Sequence, residues 1–277
     1  MILDLVSPWL AAVEATDSTR ARGAFRNRHA TLLEALRLVR APSLDTLPLA
    51  TDVNQLHALA RRAADPTTQQ LLRDTLAHAT ALGADQCRSV ILLAGDVTGD
   101  AAVPLARPDA AAVLFVDQLK GDNSIVVALA RTCAAIARWS APDSASLLAR
   151  VPGAKWDRWE AARNIPLREW IYTEGLGLHL AAALRNGLQT HELLGLNQAA
   201  FSRLREREKV FRALLDTDLD ERGIGLLLRW LTPGAPLGPR TVGDVVLPPM
   251  AGPYLAWRMT AERLKRVGLR EAIRMEA

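Results

Sequence analysis

Between Ser124 and Trp139 the chain reads Ser-Ile-Val-Val-Ala-Leu-Ala-Arg-Thr-Cys-Ala-Ala-Ile-Ala-Arg-Trp. The run favours helix, with Asp122 or Asn123 placed to cap it, and it is apolar nearly all round. Such a helix has no face for water, so other elements must enclose it. The chain before it supplies two short apolar runs. Val90-Ile91-Leu92-Leu93 ends at Ala94-Gly95-Asp96, and Ala111 to Asp117 leads toward the helix. Runs this short, bounded by glycine and aspartate, predict strands buried on both faces of a small sheet. After the helix comes a connector marked by Pro142 and Pro152-Gly153, with a short helix over Asp143 to Arg150. Trp156 and Trp159 then fall three apart in a further short helix, a spacing that suits packing on one face. Pro166 opens a second long helix, which contains Trp170 to Leu180 and closes near Arg185 at Asn186-Gly187.

The flanking regions read as helices too. Thr16 to Arg40 is amphipathic, with Thr16 or Asp17 as cap and Leu32, Leu33, Leu36 and Val39 at helical spacing. Asp52 caps a helix to Ala64, and Pro66 begins another that ends near Leu82-Gly83. Beyond the second long helix, Asn197 starts a long helix with Arg203, Arg205, Glu206, Arg207, Glu208 and Lys209 on its solvated side. Gly223 to Leu231 is helical. A proline-rich crossing then leads to a last helix from Ala251 or Tyr254 to Val267. The composition is even along the 277 residues, which favours one domain: a helical subregion over 1–86 and a core over 87–277.

The net charge of +4 is spread over many helices instead of gathered into a patch with stacking aromatics, which argues against a nucleic-acid partner. No apolar run reaches the roughly 18 residues of a membrane span, and the N-terminus lacks a basic leader. Cys87 and Cys133 stand far apart and belong to no Cys-x-x-Cys pair, consistent with a reducing, cytoplasmic setting of bacterial style. The lone His29, His57 and His78 carry no motif.

One constellation stands out. Glu174-Gly175-Leu176-Gly177-Leu178-His179 lies on the second long helix, Gly99-Asp100 to Leu119 leads into the first, and Gly252-Pro253-Tyr254-Leu255-Ala256-Trp257 opens the last. Over about residues 88–265 this order resembles the predicted zinc-dependent proteases of gluzincin-like type. There the first helix carries His-Glu-x-x-His, and a Glu within Glu-Gly-Leu-Ala on the following helix is the third zinc ligand. The resemblance implies an α+β, mainly helical fold with a zincin-like core, and it puts Glu174 at the third-ligand position. At the His, Glu and His positions it puts Arg131, Thr132 and Ala135. Arg131 has no acceptor to offer a metal, Ala135 has no ligand atom, and Thr132 is no general base. No cofactor is therefore expected here, although zinc serves the resembled family.

This leads to a specific expectation: Arg131 replaces the positive charge of the metal and pairs with Glu174. The function implied is that of a non-proteolytic pseudoenzyme acting as a ligand-binding or regulatory module, its partner a small molecule or peptide of unknown identity. The alternative is an enzyme with a repurposed, zinc-free cleft, such as a hydrolase or an accessory biosynthetic enzyme. Its candidate residues are Arg131, Thr132, Cys133, Tyr172, Glu174, His179 and Tyr254, with Cys133 conceivable as a nucleophile served by His179. Two plainer readings stand beside these. Glu174 is a surface or first-turn acid, with Gly175 and Gly177 there for close helix packing, and the fold is a helical interaction domain unrelated to peptidases. Other matches are weaker. His191-Glu192 lacks a second histidine, position 195 being Gly195. Gly95 to Asp100 lacks the Lys-Ser/Thr of a phosphate loop and reads as a turn.

Overall fold

The structure, a computed structural model, describes residues 1–40, 45–95, 102–105, 110–141, 146–154, 157–232 and 241–275. The chain is mainly helical, with a small sheet. It opens with β1 (Ile2–Asp4), α1 (Val6–Glu14), α2 (Ser18–Arg28), α3 (Ala30–Arg40), α4 (Val53–Ala64) and α5 (Pro66–Ala81). The centre follows with β2 (Ser89–Leu93), β3 (Ala102–Leu105), β4 (Ala111–Phe115), α6 (Gly121–Trp139), α7 (Arg158–Asn164) and α8 (Leu167–Leu184). The remainder is α9 (Thr190–Leu193), α10 (Gln198–Glu206), α11 (Glu208–Asp218), α12 (Ile224–Leu231), the two-stranded β5 (Thr241–Val242) and β6 (Val245–Val246), α13 (Ala251–Leu264) and α14 (Leu269–Ala272).

The sheet has the order β1-β2-β4-β3. β1, β2 and β4 run parallel, with Ile91 opposite both Leu3 and Val113, while β3 joins the far edge antiparallel to β4. Every residue of β2 and β4 is buried, as expected for strands covered on both faces. β1 makes residues 1–86 more than a helical region, because it binds the start of the chain into the central sheet. At its end Asp4 accepts from the Val6 and Ser7 amides at 2.8 and 3.3 Å, and so turns the chain directly into α1.

Several boundaries differ from the sequence reading. The expected helix from Thr16 breaks at His29, leaving α2 and α3; Asp17 caps α2 as anticipated. The charged helix from Asn197 breaks at Arg207 into α10 and α11. α6 begins at Gly121, three residues earlier than expected, so neither Asp122 nor Asn123 is its cap. Asn123 instead accepts from Arg185 Nε at 3.1 Å, tying the start of α6 to the end of α8. Trp159 is 40% exposed and packs no face, while Trp156 lies outside the described residues. The expected turn over Val97 to Asp100 and residues 143–145 of the expected helix over Asp143 to Arg150 also lie outside them; Leu147–Arg150 forms a 3-10 turn.

α6 packs against β3 and β4, with α5 and α8 beside it, and α8 lies in turn against α13. Two glycines set these spacings. A methyl group on Gly175 would overlap Thr260 Oγ1 and the Ala256 carbonyl of α13, and one on Gly177 would stand 2.7 Å from Arg131 Cα on α6. Backbone this close leaves no room for a side chain. The close-packing role considered for both glycines therefore holds, and it holds alongside a role for Glu174. Gly175→Ala should lower stability by about 1–3 kcal/mol through overpacking, outweighing the roughly 1 kcal/mol that alanine gains in helix propensity. Denaturant unfolding measures it. A variant more stable than the parent would mean that α8 and α13 are not in this contact.

Candidate functional site

α6 and α8 run antiparallel, and their contact has two charged rungs. In the first, Arg131 Nε donates to Glu174 Oε2 at 3.2 Å while Nη2 stands 2.8 Å from Oε1. The Glu174 side chain is 13% exposed and Oε1 has no aligned hydrogen-bond donor, so at that oxygen the attraction is charge more than a directed bond. Glu174 is therefore neither a surface nor a first-turn acid. Two turns along α6, Arg138 forms the second rung. Its Nη2 donates to Glu169 Oε2 at 2.6 Å and its Nη1 to the Glu169 carbonyl at 2.9 Å, and both side chains are almost wholly buried. Arg138 also donates to Thr173 Oγ1 and to the Met275 carbonyl, which anchors the end of the chain. Burial lowers the pKa of Arg138 and Glu169 offsets part of that. A buried guanidinium without these acceptors would be strongly unfavourable.

Beside the first rung is a cavity of about 150 Å³ bounded by β3, α6, α7, α8 and the end of α12. Arg131, Thr132 and Ala135 line it from α6, and Glu174 lines it from α8. Arg158, Trp139 and Trp170 also face it, and the two indole rings stand 4.8 Å apart at a tilt of 56°. Thr132 Oγ1 is spent within its own helix, donating to the Ala128 carbonyl at 2.8 Å. Arg158 Nη2 donates to Thr232 Oγ1 at 2.8 Å.

The other candidates lie elsewhere. Cys133 is fully buried, and the neighbouring Cys87 thiol and burial both raise its pKa. It is a poor nucleophile at neutral pH and does not reach His179. His179 turns the opposite way, stacking on Trp257 with ring centres 3.7 Å apart and donating from Nε2 to the Trp257 carbonyl at 3.0 Å. Tyr172 donates to the Ala272 carbonyl at 3.2 Å behind the second rung, and Arg138 and Arg263 both lie over its ring. Tyr254 donates to Glu208, and burial together with that bond raises its pKa. It borders a wider hollow of about 660 Å³ near α10, α11 and α13, where Arg258 closes on the same glutamate at 3.0 Å. Glu192 completes the N-terminal capping of α9 with Gln189, which disposes of His191-Glu192 as a metal pair.

A catalytic zinc does not suit this cleft. Of the four positions only Glu174 could ligate it, and Glu174 faces a guanidinium. Among the described residues no group of three His, Cys, Asp or Glu side chains could hold a metal. Also among them, no helix is long and apolar enough to cross a membrane. The sequence reading missed Arg138, Glu169, Arg158 and the tryptophan pair. A signal for the second rung was present: Arg138 follows Arg131 by seven residues on an otherwise apolar helix, hence on the same face. Comparison with family models, characterised proteins and solved structures returns no match.

Two outcomes follow from this geometry. Glu169→Ala strands a buried cation and should cost about 3–5 kcal/mol, whereas Glu174→Ala, whose partner is partly solvated, should cost about 1–3 kcal/mol. Equal losses in denaturant unfolding would contradict the difference in burial. For His179, burial holds the pKa below its ordinary value, and the bond to the Trp257 carbonyl offsets this only in part. The unfolded chain therefore takes up the proton first. The contribution of His179 is fully present above about pH 6.5 and declines as the pH falls through that value. The melting temperature should drop between about pH 7 and pH 5, and His179→Gln should flatten that dependence. Identical pH profiles for parent and variant would refute it.

Proposed function

We propose that this chain is a zincin-like scaffold converted from metal chemistry to ligand binding, a non-proteolytic binding module. The observation that carries the reading is the Arg131–Glu174 pair, at 2.8 and 3.2 Å, on the wall of a cleft also lined by Thr132 and Ala135. These are the four positions that the resemblance assigns to the metal ligands and the base. All four border one cavity, although 38 residues separate the nearest of them in sequence across the two helices, Ala135 and Glu174, from being neighbours in the chain. The guanidinium supplies the positive charge that a metal would bring and keeps the carboxylate compensated. It supplies no Lewis acid and activates no water. Tyr172 and Tyr254, which a repurposed enzyme could use as proton donors, border other parts of the fold, and this favours binding over catalysis.

The purified protein, incubated with zinc and desalted, should retain far less than one equivalent by elemental analysis, and it should not cleave unstructured protein substrates. The converse test is stronger. Arg131→His, Thr132→Glu and Ala135→His made together should create a site that retains about one zinc, as three protein ligands do. Adding Glu174→Ala to that triple variant should abolish the gain. Stoichiometric zinc in the parent, or a folded triple variant that holds none, would overturn the reading.

A further inference from the structure

We infer that the hollow between α9, α10, α11 and α13 is a second binding site that takes a neutral mono- or disaccharide, a ring face lying against Trp257 and the hydroxyls reaching Arg205, Glu206, Ser202 and Thr190. This site shares no lining residue with the Arg131–Glu174 cleft and does not depend on how that cleft is read.

Size and ring geometry bear first on what can enter. The hollow has a volume of about 660 Å³, within the roughly 300–1,000 Å³ usual for small-molecule sites. Phe201, Tyr254 and Trp257 supply its aromatic surface. Phe201 and Tyr254 meet edge to face, at 87° with ring centres 5.8 Å apart, so they close on each other and form no parallel slot for a planar base. Trp257 differs. The His179 imidazole covers one face of its indole at 3.7 Å, and the bond from His179 to the Trp257 carbonyl holds the two together. What remains of the indole for the hollow is its opposite face and rim, fixed before a ligand arrives. A pyranose suits such a platform. Its C–H groups gather on one side of the ring, where the negative face of an indole attracts them, and its hydroxyls lie around the rim.

Charge and hydrogen bonding then select the ligand. The charged residues along the lining are Arg205 and Arg258 against Glu206 and Glu208, an even balance. Arg258 Nε donates to Glu208 Oε1 at 3.0 Å, while Arg205 and Glu206 enter no ion pair or side-chain hydrogen bond among the described residues. A phosphate or an ammonium group would lose to one sign what it gains from the other. A ligand without net charge meets no such conflict, provided its groups both donate and accept, as hydroxyls do. The unspent groups of the hollow are mixed in the same way. Arg205 donates, Glu206 accepts, and the Ser202 and Thr190 hydroxyls bond to nothing else among the described residues. Thr132 in the other cleft is the contrast, its hydroxyl being spent on the Ala128 carbonyl. Charged partners bond hydroxyls more strongly than neutral ones do, and a guanidinium fork or a carboxylate spans two adjacent hydroxyls of a sugar. Glu208 adds a fixed acceptor. Burial would raise its pKa, but the bonds from Tyr254 and Arg258 more than offset this, so the carboxylate stays ionised in one orientation.

The test is titration calorimetry on the full chain with glucose, galactose, mannose, N-acetylglucosamine, maltose, cellobiose and lactose. Glucose 6-phosphate, glucosamine, sorbitol, adenosine and phenylalanine are the controls. At least one neutral sugar should bind at millimolar concentration, and saturation-transfer NMR should mark the C–H protons on one face of its ring. Sorbitol, which has the hydroxyls without the ring, should bind at least about tenfold more weakly than the best sugar, and the charged controls should also bind more weakly. Arg205→Ala alters an exposed side chain that holds no other part of the chain, so the fold should be kept while binding falls about tenfold. Trp257→Ala should abolish binding, with Trp257→Phe recovering part of it. If Trp257→Ala does not fold, Ser202→Trp, which fills the hollow, should block binding in its place. No binding by any of the neutral sugars, tighter binding of any control, or binding that Arg205→Ala and Ser202→Trp leave unchanged would each overturn the inference. None of these outcomes bears on zinc retention at the other cleft.

Discussion

The contact between α6 and α8 is the constraint on which the rest of the structure depends. Arg131 and Arg138 project from α6, a helix whose other surfaces are almost all buried. Neither guanidinium tolerates that setting alone, and each finds a glutamate on α8. The pairing in turn requires the helices to approach closely, and Gly177 beneath Arg131 removes the side chain that would hold them apart. Gly175, on another side of α8, does the same toward α13. Charge and spacing are therefore set together on one helix, with Glu174, Gly175 and Gly177 falling within a single turn of it.

The two rungs differ in what they can do. Arg138–Glu169 is sealed, with Thr173 and the Met275 carbonyl taking up further donors, and it belongs to the scaffold. Arg131–Glu174 has the same chemistry but opens on the cavity, with the arginine side chain 29% exposed and one glutamate oxygen lacking an aligned donor. A closed pair stabilises one arrangement. An open pair beside a cavity can exchange part of its charge compensation with a ligand, because the guanidinium carries five donors in a fixed plane. The difference lies in the surroundings, chiefly in whether other parts of the chain cover the pair.

Much of the central architecture was legible in the sequence, because hydrophobic pattern and punctuation agreed there. β2 and β4 showed as short unbroken apolar runs, and α6 and α8 as long ones with clear ends. Arg131 facing Glu174 was also legible, through the spacing of a resembled motif. The strands β1 and β3 were not. β1 has three residues, too few for a period, and its place follows only from pairing with β2 across most of the N-terminal region. β3 includes a proline, which counts against a strand except at an edge. The breaks at His29 and Arg207 leave the amphipathic pattern almost in phase, so periodicity reads straight through them. Tyr172, His179 and Tyr254 were grouped with the cleft because they neighbour Glu174 or a matched motif in sequence. Helix geometry sends each to a different contact.

The zincin-like reading proposed above implies a metal site lost without loss of the fold. A hydrolytic site needs ligands, a base and an open coordination position together, so removing any one ends the chemistry. The scaffold needs only that the buried carboxylate keep a cation. Under that reading, a single change to arginine at the first histidine position would meet that need directly. Once it is present, the base and second-histidine positions are released from any electrostatic duty, and small or internally bonded residues suffice there. Thr132, turned onto its own helix, and Ala135, adding only a methyl to the cavity wall, are what such a release would leave. Under the proposed reading the arginine would stand where a metal had been, and Thr132 and Ala135 add little bulk to the cavity wall.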